Sequence, residues 1–149
     1  YSTKITRLAM PDYMADTGER EQISAENRKT ADRILQLCRE NGAQLLLVEL
    51  PSVTSWNAAR HRGVAEFAAA RELEFLDLNL LYDQMGLDGA VAFRDAGNHL
   101  NVTGATAVTA YLGRYIARQY RLPDLRGNSR YANRQEEWVC YRRFVNGNV

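Results

Sequence analysis

The stretch QLLLVEL, Gln44–Leu50, decides the fold of this chain, because it is a short apolar run that ends at Pro51. Such a run, with Gly42 just before it, is typical of a strand that is covered on both faces in a parallel sheet. A second run of the same character spans Leu73–Leu78. Two buried strands separated by a helical pattern predict the α/β class with a parallel sheet.

Helical patterns surround the two predicted strands. Apolar side chains recur at helical spacing from Ala25 to Glu40, and Ser24 stands where an N-cap residue is expected. Further helices are predicted over about Ala58–Arg71 and about Val102–Tyr120. The segment Lys4–Met10 is predicted as a short strand.

The chain divides into three predicted parts. Residues 1–24 are irregular, residues 25–122 form the α/β portion, and residues 123–149 are expected to be an extended arm whose aromatic side chains pack on the domain. The two clear strands, even with a third at Lys4–Met10, are fewer than the five or six usual in such sheets. We therefore expect the C-terminal part of a larger domain. An open sheet edge also predicts dimers or swapped assemblies.

Composition excludes some classes of function. The 149 residues suit one domain, and 46% apolar with 25% charged residues is typical of soluble globular proteins. A formal charge of +1 argues against a strongly basic nucleic-acid binder, so no nucleic-acid partner is expected. Cys38 and Cys140 show no metal-ligand spacing, and neither a metal nor a cofactor is expected. Cys38 is predicted to be a buried free thiol.

A loop of about twenty residues precedes the last predicted helix, and loops of that length tend to be functional. His99 stands at its end, beyond the carboxyl end of a strand, where open α/β sheets bind ligands. Asp95 is near enough to orient the imidazole, as in the base and orienter of a catalytic triad. Alternatively, His99 and Asn101 cap the helix and Asp95 forms a turn. His61, between two arginines, is interpreted as a solvated surface residue.

One segment resembles a known family. The stretch DAGNHLNVTG, Asp95–Gly104, is similar to the C-terminal block of SGNH/GDSL-type hydrolases, in particular a bacterial subgroup with an HLN-x-x-GA segment. FLDLN at Phe75–Asn79 and YRLPD at Tyr120–Asp124 also fit, and the resemblance covers about residues 25–127. It implies a flavodoxin-like three-layer α/β/α sandwich, of which this chain is the C-terminal part.

The resemblance also implies catalytic roles. In the family, a serine in an N-terminal Gly-Asp-Ser block attacks the acyl carbonyl, a histidine is the general base and an aspartate orients it. By motif match His99 is the base and Asp95 the orienter, although the family pattern puts the aspartate where Ala96 stands. No serine lies in a Gly-Asp-Ser block, and Ser52 is only a loose match to a strand-end nucleophile. The nucleophile is therefore expected upstream of Tyr1.

The implied function is that of a serine esterase acting on an acylated small molecule or carbohydrate, for example a carbohydrate O-deacetylase. Two alternatives stay open. One is a non-catalytic binding or scaffolding module of the same fold, and the other is an O-acyltransferase that uses the same residues. For the compartment, an extracytoplasmic or cell-surface location stays open.

Overall fold

The computed structural model describes residues 2–145 and 147. Its helices and strands, in chain order, are α1 (Ala25–Glu40), β1 (Leu46–Glu49), α2 (Ala58–Ala69), β2 (Glu74–Asp77), α3 (Tyr82–Met85), α4 (Val102–Gln119) and α5 (Ala132–Val145). Short 3₁₀ turns cover Leu78–Leu80 and Ser129–Tyr131. Tyr1, Asn146, Asn148 and Val149, which belong to the first and last predicted parts, lie outside the described residues.

The two predicted strands form a parallel pair. Leu46 is in register with Glu74, and Glu49 with Asp77 at the carboxyl ends. The predicted α/β class with a parallel sheet is confirmed, and the sheet within residues 2–145 has two strands. The strand predicted at Lys4–Met10 is wrong. That segment instead donates two backbone hydrogen bonds of 3.0 Å to the loop before α4 and does not pair with β1 or β2.

Side chains cap the N-termini of α1, α2 and α4. The Ser24 hydroxyl accepts the Asn27 N–H at 3.2 Å, so α1 begins at Ala25 as predicted. The side chain of Asn57 caps α2 and that of Asn101 caps α4 in the same way. Each cap satisfies a backbone N–H that has no partner inside the helix.

The core lies between the sheet, the long loop and α4. Leu78 and Phe93 are fully buried, and Leu76 and Val108 are nearly so. Phe93 belongs to the loop of residues 86–101, which is thus packed into the core. This packing holds the loop that carries His99.

The C-terminal segment differs from its prediction. Residues 132–145 form helix α5 rather than an extended arm, because the segment is rich in residues of good helix propensity. None of the α5 residues is buried, and the Trp138 ring stacks on Tyr141 at a centroid distance of 5.8 Å. Cys38 is half-buried rather than buried. Among the described residues no helix has the length and apolar character that a bilayer crossing requires.

Candidate active site

His99 lies at the end of a hairpin-like loop. Phe93 and Leu100 form an isolated antiparallel bridge, and the Arg94 N–H donates to the His99 carbonyl at 3.0 Å. Between them the chain turns back through Gly97, whose φ of +98° favours glycine. The loop therefore holds His99 directly opposite Arg94.

Asp95 orients His99. His99 Nδ1 lies 2.7 Å from Asp95 Oδ2, and Asp95 Oδ1 accepts the backbone N–H groups of Asn98 and His99 at 2.8 and 2.9 Å. The backbone bond from His99, followed by the bond from its ring, lowers the pKa of Asp95 to about 2. An ionised carboxylate only accepts, so Nδ1 carries the proton and Nε2 is the nitrogen left for chemistry. A four-residue spacing thus brings Asp95 and His99 together; their catalytic role stays a prediction.

The loop after β1 fixes the position of the His99 loop. The Val53 N–H donates to the Gly97 carbonyl at 2.7 Å, and the Ser55 hydroxyl donates to Asn98 Oδ1 at 2.6 Å. A Cβ added at Gly97 would lie 2.8 Å from the Val53 Cβ, so the two loops are in close contact. The loop after β1 and the loop that carries His99 therefore hold each other in position.

The Asn79 side chain fixes the start of the loop after β1 through hydrogen bonds. Its amide Nδ2 donates to the Leu50 carbonyl at 3.2 Å and to Asp77 Oδ1 at 2.8 Å. Its Oδ1 accepts the Ser52 N–H and the Tyr13 hydroxyl, each at 2.9 Å. Asn79 therefore links the carboxyl ends of both strands to the N-terminal segment. The FLDLN stretch contributes to the site through this link.

The structure contradicts the interpretation of His61 as a solvated surface residue. His61 Nδ1 lies 2.7 Å from Asp77 Oδ2, and the side chains are 28% and 2% exposed. Trp56 Nε1 donates to the same Asp77 oxygen at 2.8 Å. The neighbouring Arg60 and Arg62 point instead to the N-terminal segment, where they bind Glu21 and the carbonyl of Glu19, respectively.

A signal for this second histidine–aspartate pair is present in the sequence. Asp77 ends a buried strand, and a buried carboxylate needs hydrogen-bond donors. The pair also influences its surroundings, because Glu49 stands beside Asp77 in the sheet register. Burial and, to a lesser degree, Asp77 raise the pKa of Glu49.

An open cavity of about 380 Å³ adjoins His99. Its polar lining includes Arg94, Asn98 and His99, and its apolar lining includes Leu50 and Leu100. No acidic residue is among the described residues that line it. The predicted base therefore faces a space that a small ligand would fit.

The structure does not bring a serine to His99. Within residues 2–145, no hydrogen bond links His99 to a serine. Ser52 is buried, and its hydroxyl accepts the Ser55 N–H at 3.3 Å. Ser2 lines the same cavity as His99, a placement that the sequence did not indicate.

Side chains of the types that bind metals are not clustered in the described part of the chain. The described part of the chain has no group of three histidine, cysteine, aspartate or glutamate side chains suited to an ion. Cys38 and Cys140 are free thiols.

In comparisons with known proteins, no family model, no curated protein and no solved structure matches the chain.

Proposed function

We propose that this chain is the base-bearing part of a serine ester hydrolase of the SGNH/GDSL type. The observation that carries the proposal is the contact of 2.7 Å between His99 Nδ1 and Asp95 at the edge of an open cavity. Asp95 fixes the tautomer of His99, and the His99 side chain is 55% exposed, so Nε2 is available to a serine hydroxyl. This arrangement supports general base catalysis.

The reaction proceeds through an acyl-enzyme. His99 Nε2 takes the proton of the serine hydroxyl as the serine oxygen attacks the acyl carbonyl, and Asp95 stabilises the imidazolium that forms. His99 then gives this proton to the leaving alkoxide as the ester bond breaks. In the second half of the reaction His99 takes a proton from water as the water oxygen attacks the acyl carbonyl. His99 then gives this proton to the serine oxygen as the bond from the serine to the acyl group breaks, and the carboxylic acid is released.

In this proposal the rest of the site belongs to a flavodoxin-like three-layer sandwich, whose further strands extend the two-stranded sheet. We place the nucleophile upstream of Tyr1, on one of those strands. The substrate in this proposal is an acylated small molecule or carbohydrate, and the cavity of about 380 Å³ beside His99 offers space for a small ligand. Without those strands, the unpaired edge of β1 favours a dimer.

A non-catalytic binding module is the second candidate. It is favoured by the lack of a serine bonded to His99 among the described residues. In that case His99 and Asp95 hold the shape of a ligand-binding loop. An O-acyltransferase would use the same residues, with a sugar hydroxyl instead of water as the acceptor of the acyl group.

Labelling the full-length protein with a fluorophosphonate, followed by peptide mass spectrometry, tests the proposal. We expect an adduct on a serine upstream of Tyr1. In His99→Ala the labelling rate should fall by about 100-fold or more, because the base is lost. The matched control, His61→Gln, whose amide still offers a donor to the buried Asp77, should label normally. An adduct on Ser2 or Ser52 would place the nucleophile in this chain. A folded protein without any adduct would favour the binding module.

A further inference from the structure

We propose that the cavity beside His99 binds esters that carry a carboxylate, and that Arg94 and Asn98 bind this carboxylate. That the ligand is an ester rests on the proposed function. That the ligand carries a carboxylate is argued independently, from the side chains that line the cavity. The basis for the carboxylate is the chemistry of the groups that line the cavity and have no partner.

Arg94 is a basic residue of the lining without a counter-ion. Its side chain is exposed and forms no ion pair or hydrogen bond with any described residue. Its backbone is held on both sides, since its N–H donates to His99 and its carbonyl accepts the Thr6 hydroxyl at 2.9 Å. By contrast, Arg71 is paired with Asp32 at 2.5 Å. Arg94 is therefore anchored next to the predicted base with its guanidinium available.

Asn98 contributes a donor of known orientation. Its Oδ1 accepts the Ser55 hydroxyl at 2.6 Å, so its Nδ2 is the amide atom without a described partner. Asn101, in the same lining, is different because its amide is fully used by the Val91 and Phe93 carbonyls and the Gly104 N–H. Asn98 thus offers N–H donors where Asn101 offers none.

Besides His99 Nε2, which accepts, the lining offers two unpaired donor groups, the Arg94 guanidinium and Asn98 Nδ2, and it has no acidic residue among the described ones. A ligand that binds Arg94 and Asn98 must therefore supply acceptors, and a negative charge on it would pair with the guanidinium. One guanidinium matches the single charge of a carboxylate better than the near-double charge of a phosphate. Leu50, which is 51% exposed, and Leu100 form an apolar wall for the uncharged body of the ligand.

The first experiment measures anion binding without catalysis. The full-length protein carries ¹³Cε1-labelled histidine, the His99 signal is assigned with His99→Gln, and sodium benzoate is titrated against benzamide, its neutral isostere. We expect benzoate to shift the His99 signal saturably and benzamide to do so much more weakly. Equal responses to both compounds would overturn the proposal.

Two variants localise the site. Arg94→Gln is expected to weaken benzoate binding about threefold to tenfold, the range for an exposed charged contact. Asn98→Asp, which is isosteric but replaces donors with an acceptor, should weaken it further. The control is Arg118→Gln, an exposed arginine of α4 outside the lining, which should bind as the parent does. Unchanged binding by both Arg94→Gln and Asn98→Asp would contradict the proposal.

A kinetic arm separates this inference from the proposed function. The full-length protein is assayed with 4-acetoxybenzoate and 4-acetoxybenzamide, and kcat/KM should favour the carboxylate in the parent but not in Arg94→Gln. If benzoate binds through Arg94 but neither ester is cleaved, the anion site stands and the hydrolase fails. If both esters are cleaved equally and benzoate does not bind, the hydrolase stands and the anion site fails.

Discussion

The chain holds two histidine–aspartate pairs with the same Nδ1···Oδ2 distance of 2.7 Å, in contrasting surroundings. His61 and Asp77 are 28% and 2% exposed and lie at the carboxyl end of the sheet, whereas His99 and Asp95 are 55% and 38% exposed and lie in a loop. An identical contact thus has two different consequences. The buried pair holds structure together, and the exposed pair is accessible to a ligand.

The partners of the two aspartates explain this contrast. Besides His61, Asp77 accepts the Trp56 indole and both the backbone and amide N–H groups of Asn79. Asn79 is local to Asp77, but Trp56 comes from the loop after β1 and His61 from α2, so Asp77 joins segments that are distant in sequence. Asp95 accepts only from its own loop. Removing Asp77 therefore affects the fold, and removing Asp95 affects mainly the loop.

The largest expected effect is on ester cleavage. His99→Gln in the full-length protein should lower kcat by about 10²- to 10⁴-fold, because the general base is lost. His61→Gln should keep most of the activity, since its imidazole is bound to Asp77 away from the cavity lining. The measurement is kcat for an acetyl ester, with folding checked by circular dichroism. A larger loss in His61→Gln than in His99→Gln would exchange the roles of the two pairs.

The next effect is on stability. Asp77→Ala leaves the indole of Trp56, the amide of Asn79 and the ring of His61 without their acceptor, at a cost of about 3 kcal/mol in the free energy of unfolding. The cost of Asp95→Ala should be clearly smaller, because water replaces the lost contacts there. Urea unfolding at pH 7 measures both. Equal costs for the two variants would contradict the distinction between a structural pair and an accessible pair.

Local pattern in the sequence was enough for one pair and not for the other. Asp95 and His99 are four residues apart, so a single turn brings them together and the spacing alone suggested the contact. His61 and Asp77 meet only after α2 has packed on the sheet. The arginines beside His61 suggested a solvated face, but they bind the N-terminal segment instead.

The elements of the fold show the same limit. The apolar runs of β1 and β2 and the Ser24 cap are local signals, and the structure confirms both strands and the cap, although all four β1 residues are half-buried rather than buried. The strand predicted at Lys4–Met10 needed a neighbour in the sheet, which no local pattern reports. For α5, aromatic side chains were given more weight than helix propensity, and propensity prevailed.

A smaller effect is expected at Gly63, two residues after His61. A Cβ there would lie 1.9 Å from the Glu21 carbonyl oxygen, so the N-terminal segment crosses α2 in direct contact with this glycine. Gly63→Ala should destabilise the protein by about 1–3 kcal/mol by forcing the two apart. In contrast, Gly113→Ala in α4 meets nothing within 4 Å and should stabilise by about 0.5–1 kcal/mol.

Thermal and urea unfolding of both glycine variants provide the measurement. The His61 NMR signal should also move in Gly63→Ala, while the His99 signal should not, because only His61 lies on the displaced helix. A tolerated Gly63→Ala with an unmoved His61 signal would show that the N-terminal segment does not hold the buried pair in place.

The smallest effect is the titration of Asp95. Its pKa of about 2 lies below the ordinary 3.8, because the backbone N–H of His99 and then the His99 ring favour the carboxylate. Since the folded pKa is the lower one, the stabilisation is present above about pH 4 and is lost as the pH falls toward 2. Carboxyl ¹³C NMR should give this midpoint. In His99→Ala it should rise only part of the way, because the backbone bond that contributes most remains. A full return to 3.8 would mean that the ring alone holds Asp95 ionised, and a midpoint unchanged from the parent would mean that the ring contact is absent in solution.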